Sequence, residues 1–193
     1  MSPDDLSAMF PVAQMIASNV SRQIESKIGR HDWAGARRLI RSGLRRQPDH
    51  HWLLARLSAT YYAQYDYRRA LRVSSKAFRL MPRCPLVLWD HAGALDMSGR
   101  KHEAIAIYRR LVGRGAAALA TGECGEGLAR ARGLVSDCFY RLGLCYFDLG
   151  RPKLATRSFT RAFRMRGPGC HSIYPLAEAR RTARRVQQVR HVA

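Results

Sequence analysis

Apolar and small residues recur along this chain at the three- and four-residue spacing of amphipathic helices. The clearest stretch is residues 51–84. Its first half carries one apolar face that includes a small residue, at Leu54, Leu57, Ser58 and Tyr61. Its second half repeats the spacing with small residues, at Ala70, Ser74 and Ala77. Because Pro82 cannot continue a helix and Asp66 suits a helix N-cap, the stretch predicts a 34-residue helical hairpin.

The same pattern returns elsewhere at the same period. Residues 136–169 fill the equivalent positions with Phe139, Leu142, Gly143, Tyr146, Ala155, Phe159 and Ala162. Residues 85–118 form a weaker copy, with His91 in the leucine position and no closing proline. Residues 17–50 form a degenerate copy, with a good second helix and a poor first one. Small residues at fixed positions allow close helix packing, so each predicted hairpin would bury its apolar face against its neighbours.

The order aromatic, Leu-Gly, Tyr, Ala, Phe and Ala in residues 136–169 resembles the tetratricopeptide repeat (TPR), although Pro168 falls one position late. The resemblance covers about residues 17–169. It implies an all-α fold: a short TPR-type α-solenoid, a right-handed superhelix of helical hairpins with a C-terminal capping helix. We therefore expect a single TPR-like domain over residues 1–193. Its expected parts are an N-terminal cap (1–16), a degenerate repeat (17–50), two repeats (51–84 and 85–118), an insertion (119–135), a further repeat (136–169) and a C-terminal helix (170–193).

Residues 112–135 interrupt the period and add 17 residues before the last repeat. Their first part is rich in glycine, which predicts a loop, at Gly113, Gly115, Gly122, Gly125 and Gly127. Helical spacing resumes at Leu128, so we expect an extended first helix in the last repeat. A phosphate-binding loop is disfavoured, because the chain lacks a Gly-Lys-Ser/Thr sequence there.

The formal net charge of +20 is carried by 30 Arg and four Lys. Such a balance favours an acidic partner, above all nucleic acid. It also fits a coding bias toward arginine, whose solvated stem covers apolar helix surface well. The basic residues concentrate in the predicted second helices and in the last helix. The candidate contacts to nucleic acid or an acidic protein are Arg180, Arg181, Arg184 and Arg185.

The sequence disfavours a membrane protein. No apolar run approaches the ~20 residues that span a bilayer. The first 21 residues contain no Lys or Arg, whereas secretory and transit peptides are basic. Five cysteines at irregular spacings fit a reducing compartment. We therefore expect a cytoplasmic protein without membrane contact.

No motif predicts catalysis. Cys138 and Cys145 are seven residues apart on the packed side of one helix, and no Cys-x-x-Cys is present, so small core residues are expected. His50 and His51 are adjacent and do not face each other on a helix. His91 occupies a core position, where a buried, hydrogen-bonded imidazole is expected. We predict no enzyme, no metal site and no cofactor.

In TPR proteins the first helices of successive repeats line a concave groove that holds a peptide or helix of a partner. The resemblance places a set of aromatic and charged residues in that groove: Trp52, Arg56, Tyr62, Trp89, Asp90, Asp96, Asp137, Tyr140, Arg141, Phe147 and Asp148. The groove is aromatic and relatively acidic, while the exterior is basic. It therefore predicts a partner segment with apolar anchors and one or two basic residues. The Lys, Asn and Arg with which some TPR modules hold a chaperone C-terminus are absent from the matching positions.

These observations predict a non-catalytic adapter or chaperone that binds a segment of another protein in the groove. The alternative is a nucleic-acid-associated subunit that uses the Arg-rich outer face and the C-terminal helix. The two roles are compatible, because they use opposite surfaces.

Overall fold

The computed structural model describes residues 10–122 and 124–188, with side chains from residue 19 onward except at 187. These residues form nine α-helices and no strand, which confirms the predicted all-α fold. In chain order the helices are α1 (Phe10–Gly29), α2 (Trp33–Arg46), α3 (His51–Tyr62), α4 (Tyr67–Leu80), α5 (Pro85–Met97), α6 (Lys101–Thr121), α7 (Leu128–Asp148), α8 (Pro152–Arg164) and α9 (Leu176–Gln188). The predicted N-terminal cap, residues 1–16, lies mostly outside the described residues, and α1 crosses its predicted boundary.

The helices pair as hairpins that stack in chain order. Each of the first eight helices packs on the next, and α9 closes the array against α7 and α8. The first helices α3 and α5 of two neighbouring hairpins also contact each other. The result is a solenoid-like array whose first helices share one side. None of the described helices combines the length and the apolar character needed to cross a lipid bilayer.

The turn inside each hairpin contains one residue with a left-handed backbone. These residues are His31 (φ 59°), Tyr65 (φ 61°), Gly99 (φ 82°) and Gly150 (φ 66°). Their successive spacings are 34, 34 and 51 residues, so the last exceeds the others by the length of the insertion. The backbone therefore repeats at four hairpins even though the side chains at this position differ. The division into repeats with the boundaries given above stays a prediction.

Small residues bring the paired helices into close contact. Ala70, Ala104 and Ala155 are almost completely buried. The Phe159 ring packs directly on Gly143, where a Cβ would overlap the ring. Close packing of this kind is possible only where side chains are small, which explains the spacing in the sequence.

Side-chain caps start two of the second helices. Asp66 accepts a hydrogen bond from the Arg69 amide at 3.0 Å, which confirms the predicted cap. Asp32 accepts one from the Gly35 amide at 2.8 Å in the degenerate copy. An N-cap of this type stabilises a helix by about 1 kcal/mol.

The loop predicted from Gly113 onward was wrong in its first part. Helix α6 continues to Thr121, and its only non-helical residue is Gly115 (φ 73°, ψ 160°). Burial of Leu111 and Leu119 on either side of this break holds both parts of α6 against the core, which outweighs the low helix propensity of glycine. The extended first helix of the last repeat is confirmed, because α7 begins at Leu128.

Residues 170–175, here called the strap, cross α7 before α9 begins. The His171 amide donates to the carbonyl of Ala129 at 3.0 Å. Gly133 forms the crossing point, since a Cβ there would overlap the carbonyl group of His171. Asp137 then accepts hydrogen bonds from the Ile173 amide at 2.9 Å and from Ser172 Oγ. The strap therefore covers part of the side on which the first helices lie.

Candidate functional site

Three first helices and the strap enclose a cavity of about 180 Å³. Helices α3, α5 and α7 contribute most of its walls, and the second helix α6 contributes one tyrosine. The lining includes Tyr62, Trp89, Gly93, Tyr108, Arg141 and Tyr174. The shared face of the array thus contains a partly open recess at this position.

The apolar walls of the cavity are aromatic. Trp89 packs on Tyr108 with ring centroids 5.7 Å apart, and Tyr62 packs on Tyr67 at 5.4 Å. Tyr62 and Trp89 are half-buried, so each keeps part of its ring accessible. Gly93 leaves room between them, because the nearest atom to a Cβ there would be a ring carbon of Tyr62 at 3.5 Å. The space above Gly93 therefore exists because this position lacks a side chain.

A buried ion pair forms the polar wall. Arg141 Nη2 lies 2.6 Å from Asp96 Oδ2, and both side chains are at least nine-tenths buried. The hydroxyls of Tyr62, Tyr108 and Tyr174 lie close enough to interact with the guanidinium charge. Burial raises the pKa of the Tyr108 and Tyr174 hydroxyls above the ordinary value, so both phenols stay protonated and able to donate.

Two buried polar atoms have no hydrogen-bond partner in the described part of the chain: the hydroxyl of Tyr108, which lines the cavity, and Arg56 Nε. The Arg141 guanidinium lies near the Tyr108 hydroxyl and opposes the rise in its pKa that burial causes. Leaving such a group unsatisfied costs about 1–3 kcal/mol. Because both atoms can donate, a ligand that supplies an acceptor would remove this cost.

The carboxylates of the groove differ in their accessibility. Asp90 lies 3.4 Å from Arg56 Nη2, and burial raises its pKa to about 6. Asp148 is nearly half exposed and pairs with Lys101 at 2.6 Å. Asp96 is buried in its pair with Arg141. Of these three, Asp148 is the most exposed, while the Asp90 side chain is 11% exposed and lines the cavity.

The structure places the predicted groove residues in three groups. The cavity is lined by Tyr62, Trp89, Asp90 and Arg141. Two further residues form ion pairs with lining residues: Arg56 with Asp90, and Asp96 with Arg141. Asp137 and Tyr140 are 2% and 5% exposed, because the strap covers them. Any partner contact with these two residues therefore requires displacement of the strap.

The remaining two aromatic residues pack into separate clusters. Trp52 is half-buried against the core formed by α1 to α4, and Phe147 is half-buried against the core around α8 and α9. Their role in partner binding stays a prediction.

Sequence reasoning missed Tyr108 and Tyr174 as site residues. Tyr108 occupies a large apolar position of a second helix, where a core residue is expected, yet its hydroxyl end reaches the cavity. Tyr174 follows the last repeat, where the 34-residue period gives no information. Its ring packs on Tyr140 at 4.8 Å. In the sequence, Tyr174 stands out only as an aromatic residue between two predicted helices.

The candidate basic surface on α9 is solvent-exposed. Arg180, Arg181, Arg184 and Arg185 are all exposed. Within the described residues, none of the four forms an ion pair with an acid. Arg180 lies over the Phe163 ring at 6.0 Å from its centroid. The charge of this helix is therefore not neutralised by the described part of the chain.

No family model matches the chain, and no curated protein matches it. Among solved structures, the crystal structure of MamA is similar at 20% sequence identity. The similarity covers 74% of this chain and 93% of that one, with a TM-score of 0.43.

Proposed function

We propose that this chain is a TPR-type protein-interaction module that binds a segment of a partner protein over the cavity between α3, α5 and α7, as an adapter or chaperone without a catalytic role. The observation that carries the proposal is the unpartnered Tyr108 hydroxyl in an aromatic recess on the side shared by the first helices. Native proteins rarely leave a buried polar group unsatisfied without a functional reason.

The size of the cavity favours a side chain over a small-molecule ligand. Cofactor and drug-sized sites typically measure about 300–1,000 Å³. A cavity of about 180 Å³ instead suits one large apolar side chain. Interface energy concentrates in such anchors, where a single buried residue contributes about 2 kcal/mol or more.

The chemistry of the walls defines the partner further. An apolar anchor would lie between Tyr62 and Trp89, and a backbone carbonyl or carboxylate next to it would accept from Tyr108. A basic side chain of the partner would meet Asp90 in the cavity lining or the more exposed Asp148. The partner expected from the sequence is thus narrowed to one anchor, one acceptor and one cation.

Filling the cavity from its floor tests this proposal. Gly93→Leu would place a side chain in the recess, whereas Gly93→Ala adds only a Cβ at ordinary contact distance. A phage-displayed random peptide library, selected on the immobilised wild-type protein, is the probe. We expect selected peptides to lose at least tenfold in affinity on Gly93→Leu and to bind Gly93→Ala nearly as well.

Circular dichroism and thermal melting of both variants show whether the fold is retained. If folded Gly93→Leu binds the selected peptides as tightly as the wild type does, the cavity is not the binding site. Failure to select any peptide under conditions where the protein is folded would equally contradict the proposal.

A second candidate function rests on the four exposed, unneutralised arginines of α9. They favour nucleic acid as an additional partner, because phosphates would supply the missing negative charge. The cytoplasmic location expected from the sequence stays a prediction.

A further inference from the structure

Three potential metal ligands from distant parts of the sequence meet beside the N-terminal ends of α3 and α5. They are His51 in the first turn of α3, Cys84 before α5, and Cys124 in the connection between α6 and α7. Their ligating atoms all lie within 4.8 Å of one another. His51 Nε2 and Cys124 Sγ are 3.2 Å apart, although 73 residues separate them in the sequence. The fold therefore assembles a histidine and two thiols that no sequence motif joins.

The distances fit a tetrahedral ion. Zinc binds cysteine sulfur at about 2.3 Å and histidine nitrogen at about 2.0–2.1 Å, so neighbouring ligand atoms stand roughly 3.5–4 Å apart. Small side-chain adjustments would bring the three atoms to these separations. Two thiolates and one imidazole select zinc over calcium or magnesium, which prefer oxygen ligands.

We propose that His51, Cys84 and Cys124 bind one zinc ion that fastens the insertion between α6 and α7 to the hairpin of α3 and α4. The fourth position of the ion is open to a water molecule. This proposal differs from the sequence prediction of no metal site. No sign of the site is visible in the sequence, because His51, Cys84 and Cys124 share no motif. It is separate from the proposed peptide cavity, and neither proposal depends on the other.

Two features of α6 and of the connection that follows it support this role. Arg114, in the second half of α6, donates to the carbonyl of Arg83 at 2.6 Å, so this part of α6 is held beside the turn that carries Cys84. Cys124 itself has a left-handed backbone, with φ 61°. This conformation is unfavourable for a residue with a Cβ, and persists where the surroundings require it. A glycine would adopt it without strain, so the cysteine at this position points to a use for its thiol.

The cysteines also have suitable surroundings. Cys84 is completely buried among apolar residues, which keeps its thiol away from oxidants in bulk solvent. Cys124 lies at the surface, which gives an ion a route of entry. The sulfur of Cys84 lies at the N-cap of α5, where the helix dipole favours a negatively charged ligand.

Metal content and cobalt spectroscopy test the proposal. The reduced full-length protein, incubated with zinc and desalted, should retain one zinc per chain by elemental analysis. Cobalt in place of zinc should give thiolate-to-metal charge-transfer absorption and the intense visible bands of a tetrahedral site. Cys124→Ser and His51→Ala should each lower the affinity for zinc at least tenfold. Cys170→Ser and His102→Ala, which remove the same groups elsewhere, should bind it as the wild type does.

Cys124→Gly separates metal binding from backbone strain. With a chelator present, this variant should melt at the same or a higher temperature than the wild type, because glycine relieves the left-handed strain. With zinc present, the wild type should melt at a higher temperature than Cys124→Gly, because only the wild type gains stability from the bound ion.

Three results would overturn the proposal: no zinc retained by the folded, reduced wild type; zinc retained equally by Cys124→Ser and His51→Ala; or a cobalt spectrum without thiolate bands. Formation of a Cys84–Cys124 disulfide by a protein that takes up no zinc when reduced would instead identify a redox pair.

Discussion

At the residue scale, His91 shows how one exchange alters the physics of a repeat. It occupies the position held by Leu57 and Leu142 in the neighbouring copies. Its Nδ1 lies 3.0 Å from Ser74 Oγ, and its ring stacks on Phe78. The predicted buried, hydrogen-bonded imidazole is therefore confirmed. Burial lowers its pKa to about 4, with Arg100 acting in the same direction and Glu103 opposing it.

His91 should make the protein sensitive to acid. The unfolded chain binds a proton at the ordinary pKa of about 6.5, whereas the folded chain binds it only near 4. Between these values the unfolded state holds more protons, so stability falls as the pH falls. Between pH 7 and pH 4.5 the unfolding free energy of His91→Leu should fall by about 1–2 kcal/mol less than that of the wild type. Urea denaturation of both proteins at each pH measures it.

The effect of His91 is measured as the difference between wild type and His91→Leu, because Asp90 changes the stability of both proteins with pH in the opposite direction. Its raised pKa of about 6 contributes stability below about pH 4 that is lost as the pH rises through 6. His102→Gln, at an exposed position, serves as the control histidine. Equal acid sensitivity in wild type and His91→Leu would assign the effect to other groups.

At the scale of helices and segments, the strap can lie close against α7 because Gly133 has no side chain. Gly133 lies directly beneath the carbonyl group of His171. Beyond it, Asp137 is buried and satisfied by Arg166 Nη2 at 3.1 Å, by Ser172 and by the Ile173 amide. Loss of the close approach at Gly133 would therefore separate a buried carboxylate from its strap partners, Ser172 and Ile173.

Gly133→Ala should detach the strap. The added Cβ overlaps backbone, which cannot rotate away, and overpacking of this kind costs about 1–3 kcal/mol. We expect faster amide exchange at Ile173, whose hydrogen bond to Asp137 would be broken, and a lower unfolding free energy. Gly113→Ala, where a Cβ meets nothing within 4 Å, should instead gain about 0.5–1 kcal/mol. Unchanged exchange at Ile173 in Gly133→Ala would show that the strap is held elsewhere.

The sequence predicts the hairpins well and the strap not at all, for a physical reason. Contacts such as Gly143 with Phe159 lie within one hairpin, so they impose a period that can be read directly. Gly133 and His171 are far apart in sequence and belong to no repeat, so their contact leaves no period. The glycines near Gly113 predict a loop because glycine has a low helix propensity. The helix forms there nevertheless because Leu111 and Leu119 are buried, and the sequence alone does not show this burial. The cavity follows the same division: Tyr62 and Trp89 were predictable from their repeats, whereas Tyr174 was not.

At the scale of the whole molecule, many of the basic residues behind the formal charge of +20 lie on the second helices and on α9. Most basic residues of the second helices are exposed, among them Arg68, Arg69, Arg72 and Arg79 on α4. The side shared by the first helices instead contains the paired charges Arg141, Asp96 and Lys101. An acidic polymer would therefore approach the outer side or α9 and leave the cavity accessible.

If α9 binds nucleic acid, the four-residue change Arg180, Arg181, Arg184 and Arg185→Gln should weaken binding and reduce its salt dependence. Each phosphate contact to a single strand contributes about 0.7 to the slope of log affinity against log salt. We expect the slope to fall by up to about 3 units with mixed-sequence RNA. Fluorescence anisotropy at several salt concentrations measures it. The same change at Arg68, Arg69, Arg72 and Arg79 removes equal charge elsewhere and should have a smaller effect; equal losses in both would contradict a site on α9.

The stacking of each helix on the next has a consequence for how quickly the chain folds. Contacts between chain neighbours require only short loops to close, and proteins dominated by such contacts have low contact order and fold rapidly. The hairpins of this array meet that condition. The strap spans 36 residues between Asp137 and Ile173, and the approach of His51 to Cys124 spans 73. Because the entropic cost of closing a loop grows with its length, the approach of His51 to Cys124 carries the larger closure cost of the two.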